Sequence, residues 1–164
     1  MPMSATPIPP AIEVDIDRAS AVPAPPDAVL LAWVQAALPE LPAGPLSVAV
    51  RLVDTAEATA LNRDYRGRDY VPNVLSFPLQ DDFPLPPDEP RPLGDVVLCL
   101  PVVQAEAAEY GKPFEQRLAH LLIHGLLHLA GHGHDQAAER DAMEAVETAV
   151  MTRLGYSDPY TSDE

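Results

Sequence analysis

Thiols are nearly absent from this 164-residue chain: its one cysteine, Cys99, can close no disulfide within the chain. A lone thiol also rules out the structural zinc sites that several cysteines build. Cys99 lies in the apolar run Val96-Val97-Leu98-Cys99-Leu100 and reads as a buried core residue. No run of 18 or more apolar residues occurs, which excludes a membrane-spanning helix on length. Residues 1–11 lack the charged start and apolar centre of a secretory signal, so the expected location is cytoplasmic. Basic residues are scarce, 10 Lys and Arg against 25 Asp and Glu, for a net charge of −15. That argues against a non-specific nucleic-acid binder, which would present a broad basic face.

What is present suits one globular domain, since an apolar content of 47% over 164 residues can fill a single core. The opening residues 1–11 are proline-rich and are expected to form a disordered tail before a domain over 12–160. The acidity is uneven. Between residues 41 and 78, Arg51, Arg63, Arg66 and Arg68 balance Asp54, Glu57, Asp64 and Asp69. An anionic ligand, if one binds, belongs there; an ordinary ion-paired surface is the alternative.

Periodicity gives the element order. Ile12-Glu-Val-Asp-Ile16 alternates as a half-exposed strand, and Ala28 to Leu38, holding Trp33, follows two prolines as a helix. Leu46 to Val53 is β-branched and strand-like. Asp54-Thr-Ala-Glu57 looks like a capping box opening a helix to about Tyr65. Asn73 to Phe77 and Leu93 to Leu100 are two further strands, separated by an acidic, Pro-rich stretch, 78–92, expected to be a loop. Pro101 opens a helix that Gly111 closes, Pro113 opens the next through Ala130, and a last helix spans about 136–154, with Met143 and Met151 packing inward. The expectation is an α/β (α+β) single domain, a mixed four-stranded sheet with packed helices, carrying a metal-binding helix-turn.

The helix-turn is His124-Gly-Leu-Leu-His128-Leu-Ala-Gly131-His132-Gly133-His134. Residues four apart on a helix project from one face, so His124 and His128 form a clamp. Gly131 can take the left-handed conformation that ends a helix and turns the chain back, bringing His134 to the same ion. Three imidazoles and a water describe a catalytic zinc site, one Zn2+ per chain, rather than a closed structural one. His120 continues the row, but i and i+8 lie about 12 Å apart along a helix and cannot share an ion. His132 competes with His134, which is favoured because Gly131 leaves His132 little chain to turn with. Asp135 reads as the N-cap of the last helix or as a hydrogen-bond partner of a ligating imidazole.

The spacing also equals that of the metzincin proteases, except that Gly125 stands where they carry the glutamate that takes a proton from water. Peptide hydrolysis is thereby disfavoured. A phosphodiester remains a suitable substrate, since an arginine fork stabilises its transition-state charge, and Arg66 is the candidate. Asn73, Ser76 and Asp95 have both structural and substrate-contacting readings.

Taken together, Leu61-Asn-Arg-Asp-Tyr65-Arg66-Gly67-Arg68-Asp69, Asn73-Val-Leu-Ser-Phe77-Pro78, Leu93-Gly94-Asp95, the histidine segment and Gly155-Tyr-Ser-Asp-Pro-Tyr160 resemble the YbeY endoribonucleases, or rRNA maturation factors, from about residue 12 onward. The resemblance implies zinc on His124, His128 and His134, an arginine at Arg66 important for activity, and a cleft-bearing α/β fold. It further implies cleavage of single-stranded RNA in small-subunit rRNA maturation and ribosome quality control. Small-subunit ribosomal proteins and a ribosome-assembly GTPase are the implied partners, with no membrane. Family members usually read Gly-Tyr-Asp-His across the turn, where this chain has Gly131-His132-Gly133-His134. His132 is therefore a possible ligand, acid or base. Two other functions compete: an assembly factor with a structural zinc, and a metalloprotease.

Overall fold

The strand and helix boundaries follow from alternation and punctuation in the chain, and the computed structural model describes residues 12–79, 89–132 and 136–160. The tail at 1–11, together with Gly133, His134 and Asp135, lies outside the described residues. In order come β1 (Ile12–Arg18), α1 (Asp27–Ala37), β2 (Leu46–Val53), α2 (Thr55–Arg66), β3 (Val74–Pro78), β4 (Arg91–Cys99), α3 (Leu100–Tyr110), α4 (Phe114–Leu129) and α5 (Ala137–Arg153). They form one mixed α/β domain with a four-stranded sheet in the order β1-β2-β4-β3. β1, β2 and β4 run parallel, and β3 pairs antiparallel with β4.

The sheet separates two apolar clusters. Val96 and Leu98 point to the larger one, shared with Leu30, Trp33, Val34, Leu122, Ile123 and Leu126 of α1 and α4. Val97 and Cys99 point the other way, to Val53, Leu75 and Ala58 under α2. This period of two decides what each β3 residue can reach: Val74 and Ser76 pair opposite Leu98 and Val96 on the α4 side, Leu75 opposite Val97 on the α2 side. Helix α4 is the hub, packing against β3, β4, α1, α3 and α5. It approaches the sheet so closely that a Cβ on Gly125 would stand 2.7 Å from Val96 Cγ1. A buried helix interior normally disfavours glycine, but here no other residue fits without displacement.

Gly131 adopts φ 99°, and the turn closes α4 as expected, with Gly131 N–H donating to His128 O at 3.0 Å and His132 N–H to Leu127 O at 3.0 Å. Three local expectations need correction. Asp54 precedes α2 but does not cap it: its carboxylate accepts from the Ser20 hydroxyl and, at 3.1 Å, from Ala21 N–H, tying down the segment after β1. Glu57, the other half of the supposed capping box, binds Arg51 instead. Part of the 78–92 stretch is regular, because Pro78 pairs with Gly94, Arg91 with Leu46 and Pro92 with Ser47. β4 absorbs Pro92 beside a register shift between Ser47 and Ala49, where one missing N–H is tolerated. Gln136, not Asp135, is the residue preceding α5, and it makes no side-chain cap bond.

Candidate active site

A cleft of about 560 Å3 opens between the end of α2, the edge strand β3 and the exposed face of α4. Tyr65 and Arg66 come from the last turn of α2, Tyr70 and Asn73 from the loop that follows, Val74, Ser76, Phe77 and Pro78 from β3, and His124 and His128 from α4. The loop is fixed at both ends. Gly67 ends α2 at φ 65°, and the buried Asn62 amide donates to Tyr70 O at 2.9 Å. No Asp or Glu lines this cleft among the described residues, although the chain carries 25 of them. Of the four arginines in the balanced segment, Arg51 is committed to Asp17 and Glu57 and Arg63 lies 3.7 Å from Asp64, while Arg66 faces the cleft and has no ion pair among the described residues.

One helical turn apart, His124 and His128 bring their Nε2 atoms to 3.0 Å of each other, with ring planes at 75°. The other nitrogen of His124 explains the arrangement. Its Nδ1 lies 2.6 Å from Oε1 of Glu147, a fully buried carboxylate on α5. Glu147 Oε2 lies 2.6 Å from His120 Nε2 and also accepts from the Tyr160 hydroxyl. Burial alone would raise the Glu147 carboxyl, but hydrogen bonds from His120, His124 and Tyr160 outweigh it and hold the group at about 2. Ionised, it can only accept, so both imidazoles donate to it. His124 therefore carries its proton on Nδ1, which leaves the Nε2 lone pair aimed at His128. Burial and the adjoining carboxylate push the Tyr160 hydroxyl well above its ordinary range, so it remains a donor.

The network continues away from the cleft. Arg117 Nη1 approaches His120 Nδ1 at 3.4 Å, and Arg117 binds Glu106 at 2.9 Å. Glu106 in turn accepts from the Asn73 amide at 3.2 Å. Asn73 at the cleft wall and His124 at its floor are thus joined through the buried side of α4.

A cation fits this donor set. Nitrogens about 2.0–2.1 Å from one tetrahedral ion lie about 3.3 Å apart, close to the observed spacing, and carboxylate–histidine pairing is the usual support of such a ligand. Among the described residues no third His, Cys, Asp or Glu joins His124 and His128. His134, the expected third ligand, lies outside them. His120 is turned to Glu147, in keeping with its excessive separation along the helix.

The profile of the family described as Endoribonuclease YbeY matches residues 23–155. An Endoribonuclease YbeY from Alkalilimnicola ehrlichii is 50% identical over 161 residues, covering 94% of this chain and 95% of that protein. Another, from Pseudomonas putida, is 46% identical over 158 residues, covering 93% and 96%. The chain belongs to the YbeY endoribonuclease family. A Thermotoga maritima protein solved in solution shares the fold at a TM-score of 0.54 and 24% identity, covering 92% of this chain and 99% of that one.

Among residues quoted for the YbeY resemblance, Asn73 and Ser76 both line the cleft yet hold structural bonds. Asn73 Oδ1 accepts from Val74 N–H at 2.7 Å, and the Ser76 hydroxyl donates to Gly125 O at 3.1 Å. Asp95 lies away from the histidines, beside Arg51, Glu57 and Leu61. Glu147 was missed by sequence reasoning. Its signal was a carboxylate on the inward stripe Met143, Glu147, Val150, Met151, all of them buried, since an acid in a core position needs partners.

Proposed function

We propose that this chain is a zinc-dependent endoribonuclease that hydrolyses phosphodiesters in single-stranded RNA, acting in the cytoplasm in small-subunit rRNA maturation and ribosome quality control. The observation that carries the reading is the pairing of Arg66 with two convergent imidazoles in a cleft that no carboxylate lines among the described residues, on a chain of net charge −15. Such a cleft repels a polyanion far less than the rest of the surface does.

His124 and His128, with His134 as the third donor expected from sequence, would hold the ion. Bound there, zinc supplies a Lewis acid that brings the pKa of water towards neutrality. The protein's own groups do the rest. Glu147 holds His124 in the tautomer whose Nε2 faces the cleft. Arg66 pairs its planar fork with phosphate oxygens and stabilises the charge that grows on them. Hydrolysis adds the water oxygen to phosphorus, breaks a P–O ester bond and passes a proton to the leaving oxygen. Ser76 is an unsuitable nucleophile, because its hydroxyl proton is directed to Gly125 O. The close packing of Gly125 counts against a protease, which would need a carboxylate on that residue.

The acidic surface suits contacts with basic small-subunit ribosomal proteins and with an assembly GTPase. The test is cleavage of a labelled single-stranded RNA by pure protein and by His124→Ala and Arg66→Ala. Arg66→Ala should lose about 100- to 1,000-fold in rate, the usual cost of removing one charge-stabilising donor, and His124→Ala should lose at least as much, because a ligand of the ion is gone. Equal cleavage by all three would refute the reading. A protein that loses its fold with zinc but cleaves nothing would favour a purely structural ion in an assembly factor.

A further inference from the structure

We infer that Tyr65 and Tyr70 form a stacking platform for two bases of the single-stranded chain whose phosphate Arg66 contacts, an inference that rests on the nucleic-acid reading of this cleft. Both residues are exposed, Tyr65 at 71% and Tyr70 at 54%. Both line the same cleft as Arg66, His124 and His128. An exposed aromatic beside a functional cleft is a contact surface more readily than a packing residue. Neither is loosely placed. Tyr65 meets the Phe77 ring edge-on, 5.6 Å between centroids, and Tyr70 sits on the loop that Asn62 pins through its carbonyl.

The charge inventory gives the rings their purpose. A chain that binds RNA chiefly by neutralising phosphates needs many Lys and Arg, and among the described residues the cleft lining has one arginine and no lysine. Attraction independent of salt must supply the remainder, and aromatic stacking does so with any base. Base edges, by contrast, find Asn73 and Ser76 already engaged: Asn73 donates its amide to Glu106 and accepts from Val74 N–H, and Ser76 donates its proton to Gly125. Binding should therefore be tolerant of sequence but selective for unpaired bases, because a duplex hides the faces that would stack.

The test is fluorescence anisotropy of full-length protein with three labelled ligands of equal length: a phosphorothioate-linked single-stranded RNA, the same backbone with abasic sites, and an RNA duplex. Tyr65→Ala and Tyr70→Ala should each weaken binding of the first by roughly 5- to 150-fold. Tyr65→Phe and Tyr70→Phe should bind as wild type does, and the abasic ligand should bind wild type more weakly than the base-bearing one binds either Ala variant, because it loses both stacks. The dependence of log Kd on log salt should be unchanged in all four variants, since no phosphate contact is lost. Because both side chains are exposed, thermal melts should coincide. Ala variants that bind like wild type, Phe variants that fall as far as Ala, or an abasic ligand that binds undiminished would each overturn the inference. Stacking without any RNA cleavage by wild type would leave the platform intact and remove the nuclease; cleavage with unchanged Ala variants would do the reverse.

Discussion

Glu147 orients His124 from the side of the imidazole that faces away from the cleft. Removing the carboxylate takes away the acceptor that fixes the ring's orientation, so Glu147→Ala should lower metal affinity by about 10- to 100-fold, read by competition with a chromophoric chelator. The same group links stability to acid. Its folded value near 2 lies below the ordinary 4.5. Its stabilisation is therefore complete above about pH 4.5 and is lost as pH falls towards 2. Urea midpoints of wild type should fall across that window, and Glu147→Gln should lack this part of the slope. Arg66→Lys tests geometry rather than charge: an ammonium keeps the positive sign but loses the fork, and the cleavage rate should drop by roughly 10-fold or more. At this scale the clamp His124 and His128 was readable, because i, i+4 spacing alone fixes a shared face. Glu147 and Tyr160 were not, because their contacts span 23 and 40 residues of chain and no local pattern encodes them.

At the scale of elements, the approach of α4 to β3 and β4 sets the cleft floor. Gly125→Ala gains about 1 kcal/mol of helix propensity, yet its methyl would press within 3.0 Å of Val96 and near Val74. Overpacking costs typically 1–3 kcal/mol, so the net expectation is a loss of up to about 2 kcal/mol by urea denaturation, together with weaker metal binding as α4 lifts. A variant more stable than wild type would show that the contact is slack. Element types and order were legible from alternation, helical spacing, and the punctuation of Pro101, Gly111, Pro113 and Gly131. Asp54 escaped because a carboxylate before a helix has two uses, and the Ser20 segment, 34 residues earlier, outcompeted the helix for it. Pro92 escaped because its missing N–H is harmless only beside an irregularity in the partner strand, which sequence does not display.

Across the whole molecule, the order β1-β2-β4-β3 was not legible beyond a mixed sheet, since pairing between strands as distant as Leu46 and Arg91 is decided by which faces can be buried together. Charge was legible in amount but not in consequence. Read as a total, −15 argued against nucleic acid; read in space, no Asp or Glu among the described residues lines the cleft of Arg66, His124 and His128. The central claim is that this one cleft, charged with a divalent cation, cuts RNA. It is tested most directly by stripping the protein of metal and following the cleavage rate of a labelled single-stranded RNA as zinc is added back. The rate should return in proportion to zinc and level off at about one equivalent per chain. Full cleavage by the stripped protein, or a rate that never recovers while the fold stays intact, would contradict the account.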